Sequence, residues 1–223
     1  MMDDILFAKT MEGAIARLKN RDYSINTVLD IGASNGSWSK MVIEYYPNAY
    51  YFLFEAQNPH EAKLIEFTRN YPNSSYVLAA AGEREGEIFF DNGDLFGGLA
   101  SEDPLEGTCI VVPVTTVARE VARNGLTPPF LLKLDTHGYE VPILEGAAKV
   151  LDQTSIIIVE CYNFQLTDKS LKFYEMCTYL NNKGFAPIDM VDILYRKFDN
   201  ALWQMDIVFV RKDSKEFLYR DYV

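Results

Sequence analysis

Cysteine is scarce: Cys109, Cys161 and Cys177 are the only three in 223 residues. An odd number with no C-x-x-C pair argues against a disulfide framework or a zinc knuckle and points to a reducing compartment. Long apolar runs are missing, since none approaches the ~18 residues a membrane helix needs. The N-terminus, Met1-Met-Asp-Asp4, is acidic where a secretory signal would be basic, so a cytoplasmic location is expected. Basic residues are few, 21 Lys and Arg against 32 acids for a net charge of −11. Such a balance makes a poor surface for a phosphate backbone, so neither nucleic acid nor a membrane is the expected partner. Histidine occurs only twice, as His60 and His137. Two phosphate-binding signatures, G-x-G-x-x-G and G-x-x-x-x-G-K-[ST], are absent.

What is present is an α/β rhythm and one strand-to-helix turn. Val28-Leu-Asp-Ile-Gly-Ala-Ser-Asn-Gly36 is an apolar strand running into a glycine turn, with a helix expected from Gly36 or Ser37 to Tyr46. Gly32 and Gly36 let backbone approach a ligand, and the helix N-terminus favours an acidic or polar ligand group. About twenty residues on, the buried-strand run Tyr50 to Phe54 ends on Glu55. That places a carboxylate at the tip of the neighbouring parallel strand, where it suits the diol of a ribose. Ser34 stands where a dinucleotide turn needs its second glycine. The form D-x-G-x-x-x-G, with Asp30, fits S-adenosylmethionine better, because Asp30 favours that ligand's ammonium and sulfonium charges.

These segments, with Ala79-Ala-Ala-Gly-Glu83 and Leu131-Leu-Lys-Leu-Asp-Thr-His-Gly-Tyr-Glu-Val-Pro-Ile-Leu-Glu-Gly146, resemble the FkbM family of class I methyltransferases over roughly residues 26 to 211. Related sequences read L-K-I-D-V-E-G-x-E-x-x-V-L-x-G at the last block. Asp135, Gly138, Glu140, Leu144 and Gly146 match, and His137 replaces a Glu. The resemblance implies S-adenosylmethionine as cofactor and a Rossmann-like, doubly wound, seven-stranded, mostly parallel sheet of order 3-2-1-4-5-7-6, its last strand antiparallel. It also implies O-methylation of a small molecule or glycoside of secondary metabolism. Methylation of nitrogen, disfavoured by the lack of a D-P-P-Y-like motif, and a non-catalytic adenosylmethionine-binding subunit are the alternatives.

A single domain over residues 1–223 is expected, with an N-terminal helix within 1–24, read over 4–20 as closing the sheet's edge or, less favoured, as a lid or homodimer contact. Helices are expected over 59–71, 115–123 and 164–183, and strands over 76–81, 87–90, 108–112, 130–135, 155–160, 185–191 and 205–210. The glycine-rich, acidic stretch 91–107 is longer than most loops and is read as a substrate-facing lid.

Cofactor contacts are expected from Asp30, Gly32, Ala33, Ser34, Gly36, Glu55, Ala56, Ala81, Glu83 and Asp135, the Ala81–Glu83 segment at the adenine edge. The catalytic candidates are His137, as a base titrating near neutrality, with Asp135 and Glu160 at adjacent strand ends. Asp135, Glu160 and Asn163 also resemble the magnesium site of catechol-type methyltransferases. Magnesium is the weaker reading; direct hydrogen bonding is preferred and no metal ligand is assigned. Trp38, Tyr162, Phe164 and Trp203 fall near strand tips, where rings could stack on an acceptor. His60, among charged neighbours, is expected at the surface.

Overall fold

The computed structural model describes residues 6–222. Its spine is β1 (Thr27–Ile31), whose five residues are all buried. A strand buried on both faces needs parallel neighbours on either side. Here they are β2 (Tyr50–Glu55) and β8 (Phe130–Leu134), with Asp30 opposite Leu53 on one side and Lys133 on the other. The chain runs outward from β1 through β2 to β3 (Ser74–Leu78), then returns to β8 on the opposite side. Ligands bind at such a reversal, outside the carboxyl ends of the strands.

Beyond β8 lie β9 (Thr154–Tyr162), β11 (Leu202–Arg211) and β10 (Phe185–Tyr195), with β11 antiparallel to both neighbours. The large sheet is therefore seven-stranded and mostly parallel, in the order β3-β2-β1-β8-β9-β11-β10. The expected order 3-2-1-4-5-7-6 is corrected to 3-2-1-8-9-11-10. The change arises because the excursion after β3 adds four strands to the count: β4 (Ala80–Ala81), β5 (Gly86–Asp91), β6 (Ala100–Ser101) and β7 (Cys109–Thr115), joined as a second sheet. The single strand expected over 76–81 is split for the same reason, since Ala80 and Ala81 pair with Val114 and Thr115.

Alternation along the strands makes two cores. Leu29, Phe52, Leu132 and Ile157 face one side with α4 (Val117–Arg123), α5 (Glu140–Gly146), α6 (Ala148–Leu151) and α7 (Phe173–Asn182). Val28, Leu53, Leu131 and Ile158 face the other with α1 (Met11–Asn20), α2 (Ser37–Ile43) and α3 (Glu61–Asn70). The expected N-terminal helix is interrupted: Thr10 caps α1 by accepting from the Gly13 N–H, and residues 1–5 lie outside the described part. Arg17 pairs with Asp189 of β10 at 2.7 Å, so α1 lies over the β10 edge of the sheet rather than over a cavity.

The helix expected over 164–183 begins only at Phe173. The Ser170 hydroxyl accepts from the Leu166 and Thr167 N–H groups and holds the preceding residues in a turn, a local alternative to helix.

Candidate functional site

A cavity of about 240 Å³ opens at the carboxyl ends of β1, β2 and β8. One wall is the turn after β1. Gly32, Ser34 and Gly36 all take positive φ, of 79°, 52° and 78°. A Cβ on Gly32 would lie 2.0 Å from the Asp135 carbonyl, so glycine is what lets the tips of β1 and β8 touch. Ser34 adopts the left-handed conformation at some cost, offset by a hydrogen bond from its N–H to Glu55 Oε2 at 2.7 Å. The other oxygen of Glu55 accepts from the Gln57 N–H, also at 2.7 Å. Burial raises the Glu55 pKa, and these backbone donors oppose the shift.

Of the expected cofactor residues, Gly32, Ala33, Ser34, Glu55, Ala56, Ala81 and Asp135 line this cavity. Asp30 and Gly36 lie behind its wall. Asp30 is buried, accepts from the Ser39 hydroxyl at 2.7 Å, and has its pKa pushed up to about 6, chiefly by burial. Gly36 packs against Phe67 and Leu53. Glu83 lines a separate cleft with Arg84, Glu85, Glu87, Glu102 and Tyr139. The adenine-edge segment thus reaches the main cavity through Ala79, Ala80 and Ala81.

At the far end, β8 and β9 bring Asp135, His137 and Glu160 together, their ligand-type atoms within 4.8 Å of one another. His137 has φ of 52° and Gly138 104°, a left-handed pair at the β8 tip. The buried Glu140 caps that turn, accepting from the Gly138 N–H at 3.0 Å and the Thr136 hydroxyl at 3.1 Å. His137 Nδ1 lies 2.8 Å from the Tyr162 hydroxyl and 3.3 Å from Glu160 Oε2, and Nε2 lies 3.1 Å from the Phe96 carbonyl. Tyr162 and Gln204 both donate to Glu160. Burial disfavours charge on His137, but hydrogen bonding and attraction from Glu160, then Asp135 and Glu140, outweigh it and raise the pKa to about 9. This direction departs from the expectation that His137 titrates near neutrality, the cause being the carboxylates of Glu160 and Asp135 beside the ring.

Lys133 Nζ lies 2.6 Å from Asp135 Oδ2; burial pushes the Asp135 pKa up, but attraction and hydrogen bonding from Lys133, with His137 and Glu160, together bring it below the usual carboxylate value. The cluster has the spacing to hold a cation, with His137 where Asn163 was expected. Its carboxylates already have partners: Lys133 for Asp135, and Tyr162, Gln204 and the His137 ring for Glu160.

The segment over 91–107 closes part of the cavity, with Leu95, Phe96, Gly98 and Ala100 in its wall. Gln57 Nε2 donates to the Asp94 and Leu95 carbonyls, His60 Nε2 lies 2.9 Å from the Leu95 carbonyl, and His137 reaches that of Phe96. His60 is thus buried, not at the surface: a 3-10 turn, Asn58–His60, precedes α3 and directs the ring inward beside Phe96. Tyr162, Trp203 and Phe164 form a chain of ring contacts at 5.8 and 5.4 Å, whereas Trp38 lies apart, with Lys133 Nζ 5.4 Å from its ring centroid.

Sequence reasoning missed Lys133, Gln57 and Gln204. A lysine within the otherwise apolar Phe130-Leu-Leu-Lys-Leu134 was a legible signal; the two glutamines had none.

A switch-point cavity with a glycine turn and a strand-tip carboxylate defines the class as a nucleoside-cofactor α/β domain. Solved structures share the fold. The crystal structure of methyltransferase FkbM from Methylobacillus flagellatus KT superposes with a TM-score of 0.54 at 14% identity, over 82% of this chain and 43% of that one. The Methanococcus jannaschii fibrillarin pre-rRNA processing protein gives 0.54 at 13% identity over 93% and 77%. An uncharacterized protein from Listeria monocytogenes serotype 4b gives 0.52 at 10% over 91% and 67%. The present chain therefore spans less than half the length of the Methylobacillus protein. No curated protein sequence matches. The Methyltransferase FkbM domain model does match, over residues 30–187, and the chain belongs to the FkbM methyltransferase family, with the S-adenosylmethionine-dependent methyltransferase fold.

Proposed function

We propose that the protein transfers a methyl group from S-adenosylmethionine to a hydroxyl of a small molecule or glycoside. The observation that carries this reading is the imidazole of His137, held by Glu160 and Tyr162 at one end of a cavity whose other end presents Glu55. Glu55 would take the ribose diol, Ala79 to Ala81 the adenine, and Gly32 and Asp135 the methionyl portion. Methyl transfer is an in-line displacement, so much of the acceleration comes from aligning acceptor oxygen, methyl and sulfur. An alcohol also needs its proton removed. His137 Nε2 is the atom to take it, once the Phe96 carbonyl gives way to the acceptor hydroxyl and the ring is neutral. Glu160 then holds Nδ1–H and stabilises the imidazolium that forms, the base-and-orienter arrangement of activated hydroxyl chemistry. Residues 92–99, which roof the cavity through Leu95, Phe96 and Gly98, would open for exchange and close to exclude water.

The test is calorimetric binding of S-adenosylmethionine, followed by transfer of its labelled methyl group to a panel of sugars, phenols and amines at pH 9. Binding with label on hydroxyl compounds supports the reading. Label on amines alone overturns the oxygen assignment, and no binding overturns the cofactor.

A further inference from the structure

Lys133 is the only lysine or arginine among the described residues lining the cavity. Its side chain is 4% exposed, and desolvating an ammonium costs several kcal/mol unless the group is well paired. The pairing comes from Asp135 at 2.6 Å, with Asp30 and Asp206 also acting on it; together they outweigh burial and raise the Lys133 pKa. An apolar residue would fill this strand position at lower cost, so the charge calls for a use.

Its position supplies one. Glu55 and Ala79 to Ala81 line the cavity on the β2 and β3 side, and Ser37, Trp38, Lys133, Asp135 and Thr136 are among the residues lining it on the β1 and β8 side. A cofactor with its ribose on Glu55 therefore points its amino-acid portion at Lys133 and Asp135. That portion ends in an ammonium and a carboxylate, and the wall offers a carboxylate and an ammonium already side by side. Only one of the three Lys133 N–H donors is given to Asp135 in the structure. Nearby, the Trp38 indole N–H and Asp30 Oδ1 are buried without a hydrogen-bond partner, so this part of the wall holds polar groups with unmet bonds.

We infer that Lys133 binds the α-carboxylate of the cofactor's methionyl group, with Asp135 on its ammonium, so that this subsite selects an adenosyl sulfonium carrying a complete amino acid. The inference rests on the S-adenosylmethionine reading of the cavity. It also makes a counter-intuitive demand. Decarboxylated S-adenosylmethionine carries one more net positive charge than S-adenosylmethionine, and Asp30, Asp135, Glu160 and Asp206 would draw it in more strongly. Preference for the less positive compound has to come from a local cation meeting the carboxylate.

The experiment is calorimetric titration of the full chain with both compounds, in wild type, Lys133→Met and Lys133→Arg. Wild type is expected to bind S-adenosylmethionine at least tenfold more tightly than the decarboxylated compound. Lys133→Met should bring the two affinities within about twofold, and Lys133→Arg should keep a preference. Equal binding by wild type overturns the subsite without recourse to any variant. So does a Lys133→Met protein that weakens both compounds equally, the signature of a purely structural lysine. Wild type binding neither compound overturns the cofactor reading itself, an outcome distinct from both.

Discussion

The two ends of the cavity are held by different kinds of bond. At one end, both oxygens of Glu55 accept from backbone N–H groups, of Ser34 and Gln57. At the other end, Asp135, His137 and Glu160 are held largely by other side chains: Lys133, Tyr162 and Gln204. A backbone donor survives any substitution except proline, so the first arrangement tolerates drift in its surroundings. A side-chain network loses a member with each change, and its members couple rather than add. The Glu55 end is thus the less easily altered of the two, and the His137 end is where single substitutions have the larger reach.

The largest effect is expected from His137→Ala. It is expected to lower kcat by about 10² to 10⁴, the usual worth of a general base, with cofactor affinity changed less than about twofold. Less than a tenfold loss at pH 9 would remove His137 from that role. The pH dependence adds a sign. A histidine raised from 6.5 to about 9 on folding contributes stability that is fully present below pH 6.5 and lost as pH rises through 9. Its basic form grows over the same interval, so wild type should lose stability as kcat/KM climbs. Thermal melts and rate profiles from pH 6 to 10 check this, with both trends absent in His137→Ala.

Glu55→Ala should show the reverse pattern. Cofactor Kd rises at least tenfold, roughly 1.4 kcal/mol, while kcat at saturating cofactor changes by about twofold or less. An equal fall in kcat would mean that the two ends are not separable. The smallest effect is expected from Tyr162→Phe, a loss in kcat of less than about tenfold. Removing one donor from Glu160 strengthens that carboxylate's pull on the imidazolium, so the midpoint of the rate profile should move upward. An unmoved midpoint would show that Tyr162 does not govern the pair.

How much could be read in advance follows the same division. Gly32, Ser34 and Glu55 lie on one strand, turn, helix and strand unit, and the spacing within it is enough to bring Ser34 and Glu55 together. Glu160 was legible as a carboxylate near a strand end. His60 was misread because Glu61 and Lys63 flank it; the direction of its ring depends on the 3-10 turn and on Leu95 and Phe96 arriving on the segment between β5 and β6. Lys133 was hidden in plain view within a strand, its significance fixed only when the register set it opposite Asp30.

The α/β class, the glycine turn and the strand-tip carboxylate were legible in the amino-acid pattern, because they rest on short-range periodicity and on contacts within one supersecondary unit; the family was legible only through the resemblance carried by the Leu131–Gly146 block. The second sheet, the cavity's roof and the partners of His137 follow from contacts made only in the folded chain. Those depend on residues such as Phe96, Glu160 and Gln204, which are far apart in the chain and meet only where the strand ends converge.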